Sequence, residues 1–502
     1  MNFYSTAFFA TLLSVLQRCL GFLYRIVLSR TIGSEGMGLY QIAVSVFMVI
    51  LTACSSGIPI TVSRLITKYR TENAPQKERS VVSAGLTIAL SLTLPTVLVL
   101  FLLRTPFSAI FADPRCETVF LLLLPSLSFS AAHTVLRGFF WGNKEFFPYS
   151  ITELVEEIVM IVSGTLLIFH LTDPLEGAKR AAVAVTLSNL ASFTVAFLWF
   201  FKKGGSFSSP KGQLKPLLVT SVPITAMRSG ASLADSLVAI LFPVALANAG
   251  LSSADALSAY GTVTGMAYPV LAAPSSLIGS FALVLVPELA ENFYKKDKKK
   301  LKENVEESVL LTSLISCLFI PSLFLFGTEA GLFLFSNRLA GQIISFSAFF
   351  LLPLSLNMIS SGLLNSMQGE RLTFLSFCVG TAFFLGCTLL LPPLCGVYSI
   401  CIGFGAEAIA ASLLQLLFIK KRAGCKIKLA KAVFLPLLLC LPALFLGILL
   451  KKLLFLFLGE IPATIVGCIL LTLFTLILYA LFRLLPKGIL PLPKKKAALQ
   501  KN

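Results

Sequence analysis

Long apolar runs separated by short polar stretches repeat from one end of this chain to the other. Each run is about 20 residues long, the length a helix needs to cross a hydrocarbon core of about 30 Å. The pattern predicts 14 spans, at roughly 4–29, 39–63, 81–103, 118–140, 150–170, 181–201, 216–248, 257–287, 308–327, 341–366, 372–392, 397–419, 431–450 and 462–482. The expected fold class is therefore an all-α polytopic membrane protein. The first run has no basic stretch before it and no small-residue cleavage site after it, so it reads as a retained helix and not a signal peptide.

Charge adds the orientation. Of the 41 Lys and Arg residues, 30 fall in the ends and loops after even-numbered spans and in the C-terminal tail, and 8 in the loops after odd-numbered spans. The first group includes "YKKDKKKLK", "KKRAGCKIKLAK" and "PKKK". Positive residues mark the cytoplasmic side, so both termini are expected in the cytoplasm. The net charge of +18 is then a topology signal and an attraction to anionic lipids, not the footprint of a nucleic-acid partner.

Composition agrees: 502 residues, 56% hydrophobic, 13% charged, with a mean hydropathy of +0.89. No room remains for a soluble catalytic domain. The 11 cysteines include no C-x-x-C pair, His133 and His170 have no partner at ligand spacing, and no phosphate-binding G-x-x-x-x-G-K-[ST] loop occurs. No enzyme activity, metal or cofactor is expected.

An internal repeat organises the spans. "DPLEG" at 173–177 is answered by "PPLCG" at 392–396, an offset of 219 residues that also carries Lys202, Lys203 and Gly205 onto Lys421, Arg422 and Gly424. "LLPSLSF" answers "LLPLSLN", and Arg18 and Arg25 align with Arg228 and Asp235 at an offset of 210. A duplication of six spans is the simplest account. Six is even, so the copies are parallel repeats about an axis along the membrane normal. The expected domains are a six-helix lobe at 1–203, a second at 204–425, two extra helices at 426–485 and a basic tail at 486–502, with a cleft between the lobes.

Three arginines lie inside spans: Arg18, Arg25 and Arg228. An ionised group at mid-membrane costs about 2.5–3.5 kcal/mol even on insertion scales, so it must face a partner, protein interior or water. Arg18 and Arg25 are seven residues apart on one helix face, with Gly21 between them. Arg228 and Asp235 repeat the spacing in the seventh span. Glu407 lies in the middle of the twelfth, and Glu153, Glu156 and Glu157 open the fifth. A structural role would pair Arg228 with Asp235 or Glu407, let Arg25 reach outward, and leave the three glutamates at a wet helix end. A functional role would line a positive cavity, and guanidinium groups suit phosphate because their planar fork is always charged.

Several stretches resemble one family. "GFLYRIVLSRTIGSEGMGLYQIAVSVF" (21–47), "SSGIPITVSRLI" (55–66), "YGTVTGMAYPVLAAPSSLIGSFALVLVPELAE" (260–291) and "LLNSMQGE" (363–370) are similar to stage V sporulation protein B-like proteins. These belong to the polysaccharide-exporter branch of the MOP superfamily, beside MurJ-type lipid II flippases, Wzx-type flippases and MATE drug antiporters. The resemblance implies alternating access between two six-helix lobes in a bacterial plasma membrane. It implies that Arg18, Arg25 and, through the repeat, Arg228 hold a substrate diphosphate, and that the last two helices form a groove for a lipid tail. Some relatives place a sodium site between spans 7, 11 and 12 with an acid in span 11. Span 11 here has none, which leaves Asp235 and Glu407, and leaves Na+ or H+ open as coupling ion.

The leading expectation is a flippase for an undecaprenyl-diphosphate-linked saccharide, lipid II or a polysaccharide repeat unit. One alternative is a cation-coupled multidrug antiporter, against which the three arginines speak. The other is a non-transporting scaffold that recruits cell-wall synthases, which leaves those arginines unexplained.

Overall fold

The computed structural model describes residues 3–103, 109–111, 113–171, 173–275, 278, 289, 291–293, 295–423 and 429–484. Among these every regular element is helical. The expected basic tail at 486–502 and part of the expected eighth span, at 276–277 and 279–287, lie outside the described residues.

The helices are α1 (Phe3–Ser55), α2 (Ile58–Thr71), α3 (Pro75–Leu102), α4 (Arg115–Gly142), α5 (Phe146–Ile168), α6 (Pro174–Lys202), α7 (Leu214–Asn248) and α8 (Ser253–Gly261), which continues into a π-helical turn at Thr262–Ala267. They are followed by α9 (Lys298–Phe335), α10 (Arg338–Ser347), α11 (Leu351–Ser366), α12 (Glu370–Leu390), a single turn α13 (Pro392–Cys395), α14 (Tyr398–Ala423), α15 (Leu429–Phe457) and α16 (Glu460–Leu481). Eleven helices among the described residues are long and apolar enough to cross a membrane. The first of these, Val15–Thr71, holds the whole of the second expected span, 39–63, and the later part of the first. Helix α5 is left out of the eleven; it carries Glu153, Glu156 and Glu157. The chain is a multi-pass membrane protein.

Helix α1 has 53 residues and would be roughly 80 Å long, more than twice a bilayer core. It bends at Gly33, whose φ of 71° is a left-handed value that a side chain would strain. It ends at Ser55, where Ser56 and Gly57 break the helix before Pro59 opens α2. The repeat motifs sit at helix starts: Asp173 accepts from the Glu176 amide to cap α6 with Pro174 in its first turn, and Pro392–Cys395 form α13 just ahead of α14.

The chain divides into two compact units. The first is Met1–Pro269 with Leu334–Ser336 and Leu385–Gly403; the second is Val270–Phe333, Asn337–Phe384 and Phe404–Asn502. In the first unit a core of Ile58, Val62, Ile66, Val135, Phe139, Phe140 and Phe200 joins α2, α4 and α6. Gly138 and Gly142, four residues apart, let α4 approach α2 closely: a Cβ on Gly138 would meet the Pro59 carbonyl at 2.7 Å, and one on Gly142 would meet Ile66 at 2.8 Å. This is small-residue packing, the usual way for helices to adhere in lipid. In the second unit α9, α11, α14 and α15 share a core that includes Val309, Ile320, Leu363 and Ile419. Helices α15 and α16 dock on α9. The Tyr479 hydroxyl donates to the Leu314 carbonyl at 3.1 Å, Gly467 abuts Phe326, and Lys451 pairs with Glu329 at 2.8 Å. Large apolar side chains such as Leu166, Leu198, Val219 and Phe445 remain exposed around the helices, as a surface facing hydrocarbon requires.

Candidate substrate site

The first-span arginines differ in their surroundings. Arg18 is exposed, and Arg25 is half-buried. Seven residues on a helix place them roughly 10.5 Å apart on one face. Gly21 between them is where Glu157 of α5 comes to rest: a Cβ there would stand 2.8 Å from Glu157 Oε1. Only a glycine gives the carboxylate that place. Arg25 lies within electrostatic reach of Glu157 and of the Tyr40 phenol. The Tyr24 side chain is buried, and its hydroxyl packs onto Gly164 of α5. Neither Tyr24 Oη nor Glu157 Oε1 has a hydrogen-bond partner among the described residues. The arginine face of α1 is thus lined by polar atoms with spare bonding capacity, which seldom occurs in a buried setting without a ligand or solvent role.

Behind Glu157 the same helix continues the polar cluster. Arg137 of α4 donates from Nη1 to Glu153 Oε1 at 3.1 Å and lies 5.3 Å from the centre of the Trp141 ring. His133 Nε2 is 3.2 Å from the Thr152 hydroxyl, and its Nδ1 is 3.9 Å from Glu156 Oε2. Spacings of three and four residues bring His133 with Arg137, and Glu153 with Glu156 and Glu157, onto single helix faces. The glutamates expected at a wet helix end are therefore half-buried among α1, α4 and α6. Arg137 and His133 are site neighbours that sequence reasoning missed. Their signal was the four-residue spacing opposite an acidic helix start.

Arg228 and Asp235 lie on α7 and both are exposed. Arg228 makes no ion pair among the described residues. Its Nη1 donates to the Ser56 carbonyl at 3.4 Å. The reason is the break after Ser55: the last turn of a helix has carbonyls without intrahelical donors and carries partial negative charge. The same break lets the Gly57 amide donate to Thr225 Oγ1 at 3.1 Å, and Ser232 reaches Thr52 at 3.1 Å. Asp235 lies within electrostatic range of the Tyr260 phenol on α8. Glu407 belongs to the second unit. It packs on Gly380 of α12, where a Cβ would stand 3.1 Å from its Cγ.

A family model described as polysaccharide biosynthesis protein matches residues 4–293. Stage V sporulation protein B of Bacillus subtilis (strain 168) is 28% identical over 402 residues, covering 74% of this chain and 76% of that protein. Lipid II flippase MurJ of the same organism is 22% identical over 460 residues, covering 84% and 83%. Among solved structures, that of "Lipid II flippase MurJ, inward closed conformation" matches with a TM-score of 0.73 at 14% identity, covering 95% of this chain and 100% of that one. An inward-facing multidrug resistance MATE family transporter of the MOP superfamily matches with a TM-score of 0.69 at 15% identity, covering 81% and 94%.

Proposed function

The chain belongs to the polysaccharide biosynthesis protein family, and from that premise we propose that it flips an undecaprenyl-diphosphate-linked saccharide from the inner to the outer leaflet by alternating access. It is a MOP-superfamily protein related to lipid II flippases. The observation that carries the proposal is the set of arginines in an otherwise apolar helical body: Arg18 and Arg25 on α1, Arg228 on α7. A diphosphate carried through hydrocarbon must shed water, and charge-assisted bonds to guanidinium offset that loss. Lipid II and a polysaccharide repeat unit are the two headgroups this site would serve.

Fourteen spans with both termini in the cytoplasm complete the reading, as do parallel six-span repeats at 1–203 and 204–425. The charge split between loops supports the first, and the matching "DPLEG" and "PPLCG" helix starts support the second. Energy would come from an ion gradient or the membrane potential, with Asp235 and Glu407 as the acids for Na+ or H+.

The test is flipping of a fluorescent undecaprenyl-diphosphate-linked saccharide by purified protein in vesicles. Arg18→Ala and Arg25→Ala should each nearly abolish flipping by protein that is still folded, and Arg18→Lys should impair it partly. Wild-type rates in both alanine variants would sink the proposal.

A further inference from the structure

A crevice of about 230 Å³ lies in the first compact unit where α1, α2, α3 and α7 meet. Cys54, Ile58, Ile88, Leu92, Leu218 and Val222 give it a mainly apolar wall, and Ser221 and Thr225 add hydroxyl-bearing side chains to the lining. Thr225 and Arg228 are three residues apart and share a face of α7. The guanidinium therefore stands about one turn beyond the crevice. Arg228 is exposed, and its bond to the Ser56 carbonyl is a long 3.4 Å. An apolar slot with an exposed cation one turn away fits an amphiphile whose phosphate is joined directly to a hydrocarbon chain.

Depth selects among such amphiphiles. With α7 entering from the cytoplasmic side near residue 216, Leu218 and Val222 fall within roughly the first 10 Å of the core, and Arg228 roughly 18 Å in. A core about 30 Å thick puts Arg228 near its middle. The phosphate of a resident phospholipid stays at the interface, well short of that depth. A phosphate reaches Arg228 only on a headgroup that is being carried across.

We infer that this crevice holds the first isoprene units of a polyprenyl diphosphate while Arg228 binds the diphosphate. The inference rests on the flippase reading and adds to it a place for the lipid next to the phosphate, apart from α15 and α16. The slot is short, so the remainder of the chain lies in the surrounding lipid.

The experiment uses the full chain in vesicles and an undecaprenyl diphosphate carrying a diazirine on its phosphate-proximal isoprene unit. Irradiation and peptide mapping should place adducts on Ile88 and Leu92 of α3 and on Leu218 and Val222 of α7. Unlabelled undecaprenyl diphosphate should compete the adducts away, and a hundredfold excess of phosphatidylglycerol should not. Arg228→Ala should lower adduct yield at least fivefold, and Arg228→Lys should restore part of it. Protection of the buried Cys317 and Cys440 from a maleimide, unchanged in both variants, shows that they are folded. Adducts confined to other helices, equal competition by phosphatidylglycerol, or undiminished yield in folded Arg228→Ala would each overturn the inference. Flipping is read on the same vesicles. Flipping without crevice adducts removes the crevice and keeps the flippase; adducts without flipping remove the flippase and keep the binding site.

Discussion

Replacing Lys451 by methionine tests what holds α15 and α16 on α9. The Lys451 ammonium is 2.8 Å from Glu329, with side chains 30% and 19% exposed. It also donates to the Leu325 carbonyl and lies 5.3 Å from the Phe326 ring centre and 5.7 Å from that of Phe455. Breaking a fully buried pair costs about 3–5 kcal/mol, and an exposed pair contributes about 0–1 kcal/mol. This pair is between those limits, so about 2 kcal/mol is expected from the charge, with about 0.5–1 kcal/mol more from the aromatic faces. Lys451→Met should therefore destabilise the protein by about 2–3 kcal/mol, because Glu329 keeps its charge in apolar surroundings. Glu329→Gln should cost less, about 1 kcal/mol, since the ammonium retains a carbonyl and two rings. The double variant should be more stable than the two losses added together, with a coupling of about 1–2 kcal/mol. The assay is thermal or denaturant unfolding of purified protein, followed by a thiol-reactive dye that reports the buried Cys317 and Cys440. Additivity within about 0.5 kcal/mol would refute the reasoning and leave packing alone to hold the two helices.

Other expectations follow from close contacts. Gly38→Ala puts a Cβ against the Leu257 backbone carbonyl; folded yield should fall sharply, and a normal yield would show that α1 and α8 do not approach this closely. Arg137→Met should lower folded yield by stranding Glu153, and the double variant with Glu153→Gln should recover it; recovery absent would mean Arg137 acts otherwise. Cysteine labelling of the Lys-rich stretch at 295–302 in intact cells should require a membrane-permeant reagent, and labelling by an impermeant one would invert the topology.

Hydropathy alone made most helices legible, because a span must be apolar along its whole length whatever it touches. It failed where length and partners are decided across helices. The first expected span, 4–29, and most of the second, 39–63, lie on one helix bent at Gly33, the second running over the break at Ser56–Gly57 into α2, and the three glycines of "TIGSEGMG" do not show which of them bends the chain. Arg137, near the end of the expected span 118–140, bonds Glu153 on the next helix, and nothing in its own stretch of sequence shows that partner. Lys451, just past the expected span 431–450, likewise pairs with Glu329 of α9. A purely structural role for Arg228 suggests a carboxylate, Asp235 or Glu407, because unlike charges are visible in a sequence. Among the described residues Arg228 bonds a backbone carbonyl, freed by a helix break at Ser56–Gly57, and every residue has one of those. The three arginines stood out because charge within an apolar run is rare; the polar atoms around them did not, since Tyr24, Tyr40 and Glu157 become neighbours only by folding.

Glu157 offers a separate test of the arginine face. It rests against Gly21, between Arg18 and Arg25 along α1, within electrostatic reach of Arg25. A carboxylate there does for the empty protein what a diphosphate would do for the loaded one: it offsets the guanidinium charge. The two anions then compete. A like charge roughly 6–15 Å from the bound phosphate opposes it by on the order of 1–3 kcal/mol at an effective dielectric near 20. Glu157→Gln keeps the shape and removes the charge. It should tighten binding of undecaprenyl diphosphate by about tenfold, the equivalent of about 1.4 kcal/mol, and slow release so that flipping falls although affinity rises. It should also destabilise the unloaded protein, because Arg25 loses its counter-charge. If Arg25 serves only to pair with Glu157, the outcome differs: stability falls and diphosphate affinity does not rise. Binding measured by displacement of a fluorescent polyprenyl diphosphate, beside unfolding of the lipid-free protein, separates the two. Unchanged or weaker affinity in folded Glu157→Gln would remove Arg25 from the phosphate site.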